Sequence, residues 1–465
     1  MNPKNCSRRG SFRSGAFDAL ADERLGAAVR KTADLLRDKR AAVADAFPGF
    51  EALRDWGRAR KSEGSGRLEE GAREFANRVE AAGGRVHFAR DASDVAEVLT
   101  RIAGDRGACT AVKAKSMTAE EVGLNEALEA AGIEVTETDL GEFIIQLAGE
   151  KPSHIMAPAI HRDRGQVGEL FHRALGTEPG LDVEALVAAA RAALRTRFLA
   201  ADLGITGANF AVAETGTLVL VTNEGNGRMA TTLPPVHVAL VGIDKVIPRL
   251  SDVPGLLALL TRSASGQPIS TYVTLVTGPR RPGEEEGPEE LHVVLLDNGR
   301  SAIARGPFRE MLHCLHCGAC LNHCPVYRAV GGHAYASPYP GPMGDVLSPL
   351  LWGIEAFPDL PDACTLCGRC QEACPVRIPL PMFHRELRRL AARPKRRVTR
   401  LLAAAAASPV LYRLGVGLLR RALRRPAWIP RRGLIAAWCS CRELPRPGAE
   451  PTFRAWWTER KGGRR

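Results

Sequence analysis

The chain has 465 residues, of which 45% are hydrophobic and 25% are charged. These proportions are typical of folded globular proteins, and the length predicts two or three domains. The first 17 residues contain arginines but no apolar core of signal-peptide length, and no run of 18 apolar residues follows anywhere in the chain. We therefore expect neither an export signal nor a membrane-spanning helix, and we expect a cytoplasmic protein.

The net charge of +12 is unevenly distributed along the chain. Residues 391–465 contain 19 Lys/Arg and 3 Asp/Glu, a net charge of +16, which leaves −4 on the 390 residues before them. The basicity therefore belongs to the tail and indicates something that the tail touches. Basic charge without a recognisable nucleic-acid-binding fold is a weak indication of nucleic-acid binding, so we expect no such partner.

Residues 1–83 are rich in Ala, Leu, Arg and Glu, which predicts a helical segment packed on the next domain. Residues 84–300 alternate short β-rich apolar runs with helical segments, which predicts an α/β domain with a largely parallel, buried sheet. A helix is expected to begin at Thr118, where Thr118 and Glu121 have the spacing of a capping box. Further helices are predicted over 94–103 and 181–200. The predicted strands are 85–89, 109–112, 133–137, 217–222, 237–242, 272–276 and 291–296.

Polar loops at the ends of these strands, including 204–217, could form a ligand crevice. Lysine and arginine side chains there could hold an anionic group, and glutamates could transfer protons. The alternative is that the lysines are surface charges and the asparagines only form turns. No catalytic residue is assigned. The candidate pocket residues are Lys113, Lys115, Glu214, Asn223, Glu224 and Arg228.

Eight of the twelve cysteines form two copies of the run C-x2-C-x2-C-x3-C-P, with 39 residues between Cys324 and Cys364. In such runs the first three cysteines ligate one 4Fe-4S cluster and the fourth ligates the other. The first predicted cluster is held by Cys314, Cys317, Cys320 and Cys374. The second is held by Cys364, Cys367, Cys370 and Cys324.

A zinc site and disulfides are the alternative uses of these cysteines. A structural zinc ion needs only four ligands and does not require a third evenly spaced cysteine in each run. Disulfides suit a secreted scaffold better than a protein of the reducing cytoplasm. Two 4Fe-4S clusters therefore account best for the pattern, and residues 301–390 are predicted to form a helical two-cluster domain.

The tail, 391–465, contains two predicted helical segments, 398–407 and 409–425. The second places leucines on one face and Arg413, Arg420 and Arg424 on another. Such a helix could lie on an anionic membrane surface or dock on an acidic partner. Alternatively, its apolar face packs on the cluster domain and its arginines are merely solvated.

Several segments together are similar to a known family. They are 113–121, 137–142, 152–154, 207–210, 223–228, 297–301, 318–325 and 331–335. On these segments the chain, over about residues 15 to 390, resembles the lactate-utilisation protein B family of iron–sulfur proteins. The first cysteine of the second run varies in that family, and Cys364 completes the motif here.

The resemblance implies a fold and a set of partners. It implies an α/β LUD domain, similar to the isomerase and CoA-transferase superfamily, followed by an α-helical two-cluster ferredoxin-like domain and the basic helical tail. It also implies a multi-subunit system that oxidises L-lactate to pyruvate. The implied partners are a cysteine-rich iron–sulfur subunit and a smaller LUD-domain subunit.

We therefore predict an iron–sulfur electron-transfer subunit of a lactate-oxidising system, needed for the use of L-lactate as a carbon source. Two alternatives remain open. The LUD domain could itself be an enzyme acting on a 2-hydroxy acid or an acyl substrate, or it could be an inert docking module. The protein is expected in the cytoplasm, and contact of its tail with the inner face of the membrane stays open.

Overall fold

The computed structural model describes residues 11–391, 397–424 and 453–462. The chain divides into two units, Met1–Ala391 and Ala392–Arg465. The first unit contains the predicted N-terminal helices, the α/β region and both cysteine runs. The second contains the basic tail, whose predicted helical residue 425 lies outside the described residues.

Four helices begin the first unit, as the composition predicted. They are α1 (Phe12–Ala21), α2 (Glu23–Asp45), α3 (Phe50–Gly66) and α4 (Leu68–Ala81). Asp22 caps α2 by accepting a hydrogen bond from the backbone N–H of Leu25. The buried side chains of Val29, Phe75 and Val79 lie in the same apolar core as one face of the sheet that follows. The N-terminal helices are therefore a layer of the α/β region.

Ten strands and eight helices build the described part of the α/β region. The strands are β1 (Arg85–Ala89), β2 (Thr110–Lys113), β3 (Glu134–Glu137), β4 (Leu203–Thr206), β5 (Phe210–Val212), β6 (Thr217–Thr222), β7 (Val236–Gly242), β8 (Val246–Ile247), β9 (Tyr272–Val276) and β10 (Glu290–Leu296). The helices are α5 (Ala92–Arg106), α6 (Met117–Val122), α7 (Leu124–Ala130), α8 (Leu140–Ala148), α9 (Arg164–Leu175), α10 (Val183–Ala200), α11 (Asn226–Thr232) and α12 (Val253–Ala264).

The main sheet is parallel throughout, with strand order β1-β10-β7-β4-β2-β3. Every residue of β7 is buried, which explains why that strand is apolar except for His237, whose ring is hydrogen-bonded to Thr206. One face of the sheet packs on α5, α6 and α7, and the other contributes to the core shared with the N-terminal helices. The predicted parallel, buried sheet is confirmed.

A second sheet has strand order β8-β5-β6-β9, and β6 is antiparallel to both of its neighbours. The prediction of a loop over 204–217 was wrong, because most of β4 and all of β5 lie within it. These strands are only three or four residues long, too short to show a period. The strands that pair with β4 are also distant in sequence. The predicted cap at Thr118 was also wrong: Ser116 caps α6 by accepting from the N–H of Ala119.

Six helices follow the last strand in the first unit. They are α13 (Arg300–Arg305), α14 (Ala319–His323), α15 (Tyr327–Val330), α16 (Gly341–Trp352), α17 (Arg369–Ala373) and α18 (Leu380–Ala391). The buried side chains of Leu321, Tyr327 and Phe383 belong to the core that also contains β7 and β10 residues. The cysteine segment therefore shares a continuous core with the α/β region.

The second unit contains α19 (Arg397–Ala407), α20 (Pro409–Leu423) and α21 (Phe453–Gly462) within its described residues. Leu411, Leu414 and Leu418 on α20 are each more than half exposed. No single described helix is long and apolar enough to cross a membrane. The pair Leu401–Ala407 and Pro409–Leu423, bent by 103°, meets the length and composition criteria when taken together.

Candidate metal centre and adjoining cavity

The two cysteine runs adopt the same backbone conformation. The residue two positions after the first cysteine has positive φ in each run, 55° at His316 and 56° at Leu366. The glycines that follow, Gly318 and Gly368, also have positive φ, which glycine adopts without steric cost. The N–H groups of His316 and Leu366 point back to the sulfur of the first cysteine, at 3.4 Å and 3.3 Å. Each run is thus wound so that its backbone donors face its own thiols.

The fold then brings the last cysteine of each run to the other run. Cys374 interacts electrostatically with Cys314 and Cys317, and Cys324 interacts with Cys364. A single cavity is lined by all four sulfur residues of the first predicted set, Cys314, Cys317, Cys320 and Cys374. Cys370 likewise interacts with Cys364, Cys324 and Cys367, the other members of the second set. The two sets predicted from the spacing are therefore neighbours in space.

These thiols fit the requirements of a metal cluster. None of the eight forms a disulfide. Burial raises the pKa of the Cys314 thiol to about 11 and the pKa values of Cys317 and Cys324 to about 12. A buried thiolate is unfavourable unless a cation compensates its charge, and iron in a cluster supplies that charge. Four convergent buried sulfurs in one cavity match a 4Fe-4S cluster.

Cationic side chains surround the first set. Arg54 is buried, and its guanidinium donates to the carbonyl oxygens of Glu372 at 2.6 Å and Cys374 at 2.8 Å. Arg40 donates to the carbonyl of Ala373 at 2.9 Å. Lys245 Nζ lies 3.4 Å from the carbonyl oxygen of Cys314. Nothing in the local sequence marks these cations, because they come from α2, α3 and the segment after β7.

The second set differs in exposure and charge. Cys367 is exposed and Cys364 is half-buried, whereas three of the four cysteines of the first set are buried. Arg388 donates to the carbonyl of Cys364. Asp345 is buried beside Cys324 and Cys364 with no hydrogen-bond partner among the described residues, and burial raises the pKa of its carboxyl well above the usual range. The second set is thus the one that a partner protein can approach.

The loop before α9 holds the first run against the α/β region. His154 is buried, and its Nδ1 accepts hydrogen bonds from the N–H groups of Met156 and Ala157 at 2.9 Å and 3.0 Å. Its Nε2–H therefore donates to Asn322 Oδ1, at 3.2 Å. Burial lowers the pKa of His154 to about 3, so the ring is neutral. This histidine positions the run and is not a ligand.

A buried ionic network ties the same two regions together. Arg300 donates to both carboxylate oxygens of Glu121, at 2.8 Å and 2.7 Å, and also pairs with Asp244. The hydroxyl of Tyr339 donates to Glu121 Oε2 at 2.6 Å. Lys61 Nζ donates to the carbonyl oxygen of Asp244 at 2.6 Å. Because removing one partner would leave a buried charge uncompensated, this network couples the cysteine region to the sheet.

A cavity of about 340 Å³ lies at the carboxyl ends of the strands of the main sheet. Lys115, Asn209, Asn223, Glu224 and Lys245 contribute polar groups to its lining. The cavity also borders the cysteine site. The same residues, Ile155, Leu315 and His316, line both this cavity and the cavity of the first cysteine set.

Three of the six predicted pocket residues, Lys115, Asn223 and Glu224, line this cavity. The other three lie elsewhere. Lys113 is fully buried, with its Nζ 2.7 Å from Glu137. Glu214 accepts a hydrogen bond from the N–H of Leu250 at 2.9 Å, and Arg228 is exposed on α11. Lys113 is the last residue of β2, whereas Lys115 lies two residues beyond the strand, so the alternation of the strand no longer sets the direction of its side chain.

Lys113 belongs to a buried charge cluster beside the cavity. Its ammonium lies between Glu137 and Glu120, and the distance to Glu120 is 3.5 Å. Burial raises the pKa of Glu142 to about 8, an effect that Lys115 at 3.8 Å partly offsets. Three glutamates could form a cation site, but the Lys113 ammonium already occupies this position.

Comparison with known proteins matches two family models to this chain. Residues 72–296 match the LUD domain, and residues 310–378 match the 4Fe-4S dicluster domain. The second match covers both cysteine runs, so this chain carries two 4Fe-4S clusters in addition to its α/β domain.

Curated relatives match nearly the whole chain. An uncharacterised electron transport protein of Escherichia coli, YkgF, is 40% identical, and the match covers 96% of each chain. Lactate utilization protein B of Macrococcus caseolyticus is 40% identical over 97% of each chain. Lactate utilization protein B of Oceanobacillus iheyensis is also 40% identical, again over 97% of each chain.

A DUF162 family protein of known structure, from Deinococcus radiodurans, covers 49% of this chain and 98% of its own length. Its sequence is 15% identical to this chain, and the TM-score is 0.28. The full-length relatives, by contrast, exceed the similarity that establishes a family, and they agree with both domain matches. The chain therefore belongs to the lactate utilisation protein B family.

Proposed function

We propose that this chain is the electron-relay subunit of a lactate-oxidising system that converts L-lactate to pyruvate. The relatives named for lactate utilisation and the relative named for electron transport support this role. The observation that carries it is the pair of complete four-cysteine sets, one buried beside a cavity and one open to the surface. Each cluster, when bound, accepts and releases one electron.

The proposed ligands follow the neighbours seen in the fold. Cys314, Cys317, Cys320 and Cys374 hold the inner cluster. Cys364, Cys367, Cys370 and Cys324 hold the outer cluster. Cys320 interacts electrostatically with Cys370 of the other set, which supports short-range electron transfer between the two sites.

The difference in exposure suggests a direction for the relay. Most of the inner set is buried, whereas Cys367 and the 38%-exposed side chain of Leu366 lie at the surface. A redox partner can therefore approach the outer cluster. We propose that this surface meets another subunit of the system, either a cysteine-rich iron–sulfur subunit or a smaller LUD-domain subunit.

Electron paramagnetic resonance of the anaerobically purified protein tests the proposal. Spectra are recorded after dithionite and then after L-lactate, D-lactate or glycolate, with and without the partner subunits. We expect L-lactate to reduce the clusters only when the partners are present. Reduction by L-lactate with this chain alone would contradict the relay role and place the dehydrogenation in the LUD domain.

The second candidate function is catalysis by the LUD domain, and the cavity that adjoins the inner cysteine set favours it. Asn223→Ala distinguishes catalysis from docking, because Asn223 lines the cavity. Loss of turnover with iron content and assembly intact would support catalysis. Loss of subunit assembly alone would support a docking module.

We further propose that the tail contacts the inner face of the cell membrane. The leucines of α20 and the excess of arginine over acidic residues in 391–465 support this contact. Residence in the cytoplasm stays a prediction.

A further inference from the structure

Lys115 is the starting point, because its ammonium has only a long ion pair and no hydrogen-bonded counter-charge among the described residues. Its Nζ is buried, lies 3.8 Å from the nearest carboxylate oxygen, that of Glu142, and has no hydrogen-bond partner among the described residues. Burial raises the pKa of Glu142 to about 8, which disfavours the charged form of that neighbour. A buried ammonium without a hydrogen-bonded acceptor is costly and attracts an anion.

The space beside Lys115 suits a small molecule. The cavity of about 340 Å³ lies at the lower end of the range for ligand sites. Apolar walls come from Ile155, Leu220 and Leu260, while Asn209 and Gln267 offer carboxamide groups. A lysine without a hydrogen-bonded counter-charge, apolar walls and amide groups match a monoanion that also carries a hydroxyl or keto group.

The acidic residues at the cavity restrict which anion fits. Asp139 and Glu224 also line it, and both are already engaged as hydrogen-bond acceptors at the start of α8. Their negative charge disfavours a dianion such as phosphate more than a monoanion. Lys245, the second lysine of the lining, is paired with Asp244 at 3.1 Å and also lies close to the Cys314 carbonyl.

We propose that this cavity is a binding site for a small organic carboxylate, with Lys115 as its counter-charge. The shared wall, formed by Ile155, Leu315 and His316, places the bound carboxylate against the inner cysteine set. Binding therefore alters the surroundings of the inner cluster and leaves the outer cluster unchanged. The choice of pyruvate and L-lactate as probes rests on the proposed function, whereas the inference of a carboxylate site rests on the cavity and on Lys115.

Calorimetry on the full-length, cluster-loaded protein tests the binding, with pyruvate, L-lactate and inorganic phosphate as probes. We expect a carboxylate to bind once per chain and more tightly than phosphate. Lys115→Met is expected to weaken binding about 10- to 100-fold, the range for a hydrogen bond to a charged group. The matched control is Lys151→Met, which removes an exposed lysine paired with Glu126 and is expected to leave binding unchanged.

A second variant tests the same cavity independently, in case Lys115→Met loses binding because it misfolds. Ala264→Phe adds bulk at a lining position at the end of α12 without removing a charge, and it should also abolish binding. In dithionite-reduced protein, pyruvate is expected to shift the paramagnetic signal of one cluster only, and Ala264→Phe should remove that shift.

Three results would overturn the inference. They are the absence of binding heat for either carboxylate, phosphate binding as tight as carboxylate binding, and carboxylate binding that persists in both variants. The relay is judged separately, by cluster reduction in the presence of partner subunits. Intact carboxylate binding together with a failed relay would leave this site standing and contradict only the proposed function.

Discussion

At the scale of single residues, the cysteine sites depend on groups that are far away in sequence. The thiols converge through two left-handed turns in each run. Arg54 and Arg388 donate to the backbone carbonyls of Cys374 and Cys364, and Arg40 donates to the neighbouring carbonyl of Ala373. These cations bring positive charge close to sulfurs that would otherwise stay protonated. The side chains around each set therefore tune its cluster, in addition to the ligands themselves.

Cys317→Ser tests the ligand assignment. Because a hydroxyl is a much poorer iron ligand than a thiolate, we expect loss of about half of the bound iron, that of one cluster, while the LUD domain stays folded. Iron and sulfide assays together with circular dichroism measure both effects. Cys109→Ser, at an exposed cysteine outside the runs, serves as the control. Unchanged iron content in Cys317→Ser would refute the assignment.

Arg54→Gln tests the electrostatic role of the cations. Reduction adds negative charge to a cluster, so removing a nearby positive charge should lower the reduction potential of the inner cluster. A shift on the order of 50 mV is expected for a partly screened charge. Redox titration followed by paramagnetic resonance measures it. Arg305→Gln, which affects an exposed arginine paired with Glu69, should leave both potentials in place; an equal shift there would contradict the local effect.

At the scale of elements, the cysteine segment docks on the α/β region through a close backbone contact. The hydroxyl of Tyr327 donates to the carbonyl of Ser153 at 2.8 Å, and the N–H of Gly332 donates to Ser153 Oγ at 3.1 Å. A Cβ at Gly332 would lie 1.9 Å from the Ser153 carbonyl oxygen. The double glycine at 331–332 is thus explained by packing between elements.

Gly332→Ala should separate these elements. Overpacking at such a contact costs about 1–3 kcal/mol, so we expect a corresponding loss in the free energy of unfolding. Denaturant titration measures it. Gly104→Ala is the matched control, because it lies within α5 with nothing near its added methyl group and should be neutral or stabilising. A neutral Gly332→Ala would show that the loops do not approach as closely as described.

The helix α20 carries a separate prediction about the tail. Replacing Arg413, Arg420 and the C-cap residue Arg424, which share one face, with Gln should weaken binding to phosphatidylglycerol vesicles by about 3 kcal/mol, from about 1 kcal/mol for each basic residue at an anionic surface. Vesicle co-sedimentation of the full-length protein measures the change, and phosphatidylcholine vesicles are the control. Equal binding of the variant and the parent protein to anionic vesicles would contradict membrane contact by this helix.

At the scale of the whole molecule, the first unit is held together by one continuous core that runs from the N-terminal helices through the sheet to the cysteine segment.

Several histidines are buried in this unit. Burial lowers the pKa values of His154, His237 and His313 to about 3. In the unfolded chain these rings recover a pKa near 6.5, so the unfolded state binds more protons below that pH.

The neutral rings therefore make their full contribution to the free energy of unfolding above about pH 6.5. This contribution is lost as pH falls, because protonation of the histidines favours the unfolded chain. Each such histidine is expected to cost about 1.4 kcal/mol between pH 7.5 and 5.5. Anaerobic guanidinium unfolding of the parent protein and of His237→Gln measures the contribution of one ring. His237 accepts or donates one hydrogen bond with Thr206 at 2.8 Å and lies away from the cysteines, on β7. If the free energy of unfolding has the same pH dependence in His237→Gln as in the parent protein, the predicted contribution of His237 is refuted.

Much of this organisation could be predicted from local sequence. β1, β6 and β9 have the predicted bounds, because each is a short β-rich segment ended by polar or turn residues. The cysteine spacing also predicted two clusters from local sequence, because ligands three residues apart need only local turns to converge. The strands β4, β5 and β8 escaped prediction, because two to four residues show no period. The partners of β4 and β8 are in addition distant in sequence.

The sequence by itself thus determined the parallel sheet, the two 4Fe-4S clusters and the family. Only the tertiary structure decided that Lys115 faces a cavity while Lys113 is paired with Glu137, and that the cavity shares a wall with the inner cysteine set. It also decided which cations lie beside each set and which set reaches the surface. These properties depend on side-chain direction and on packing between distant segments, and no local pattern encodes them.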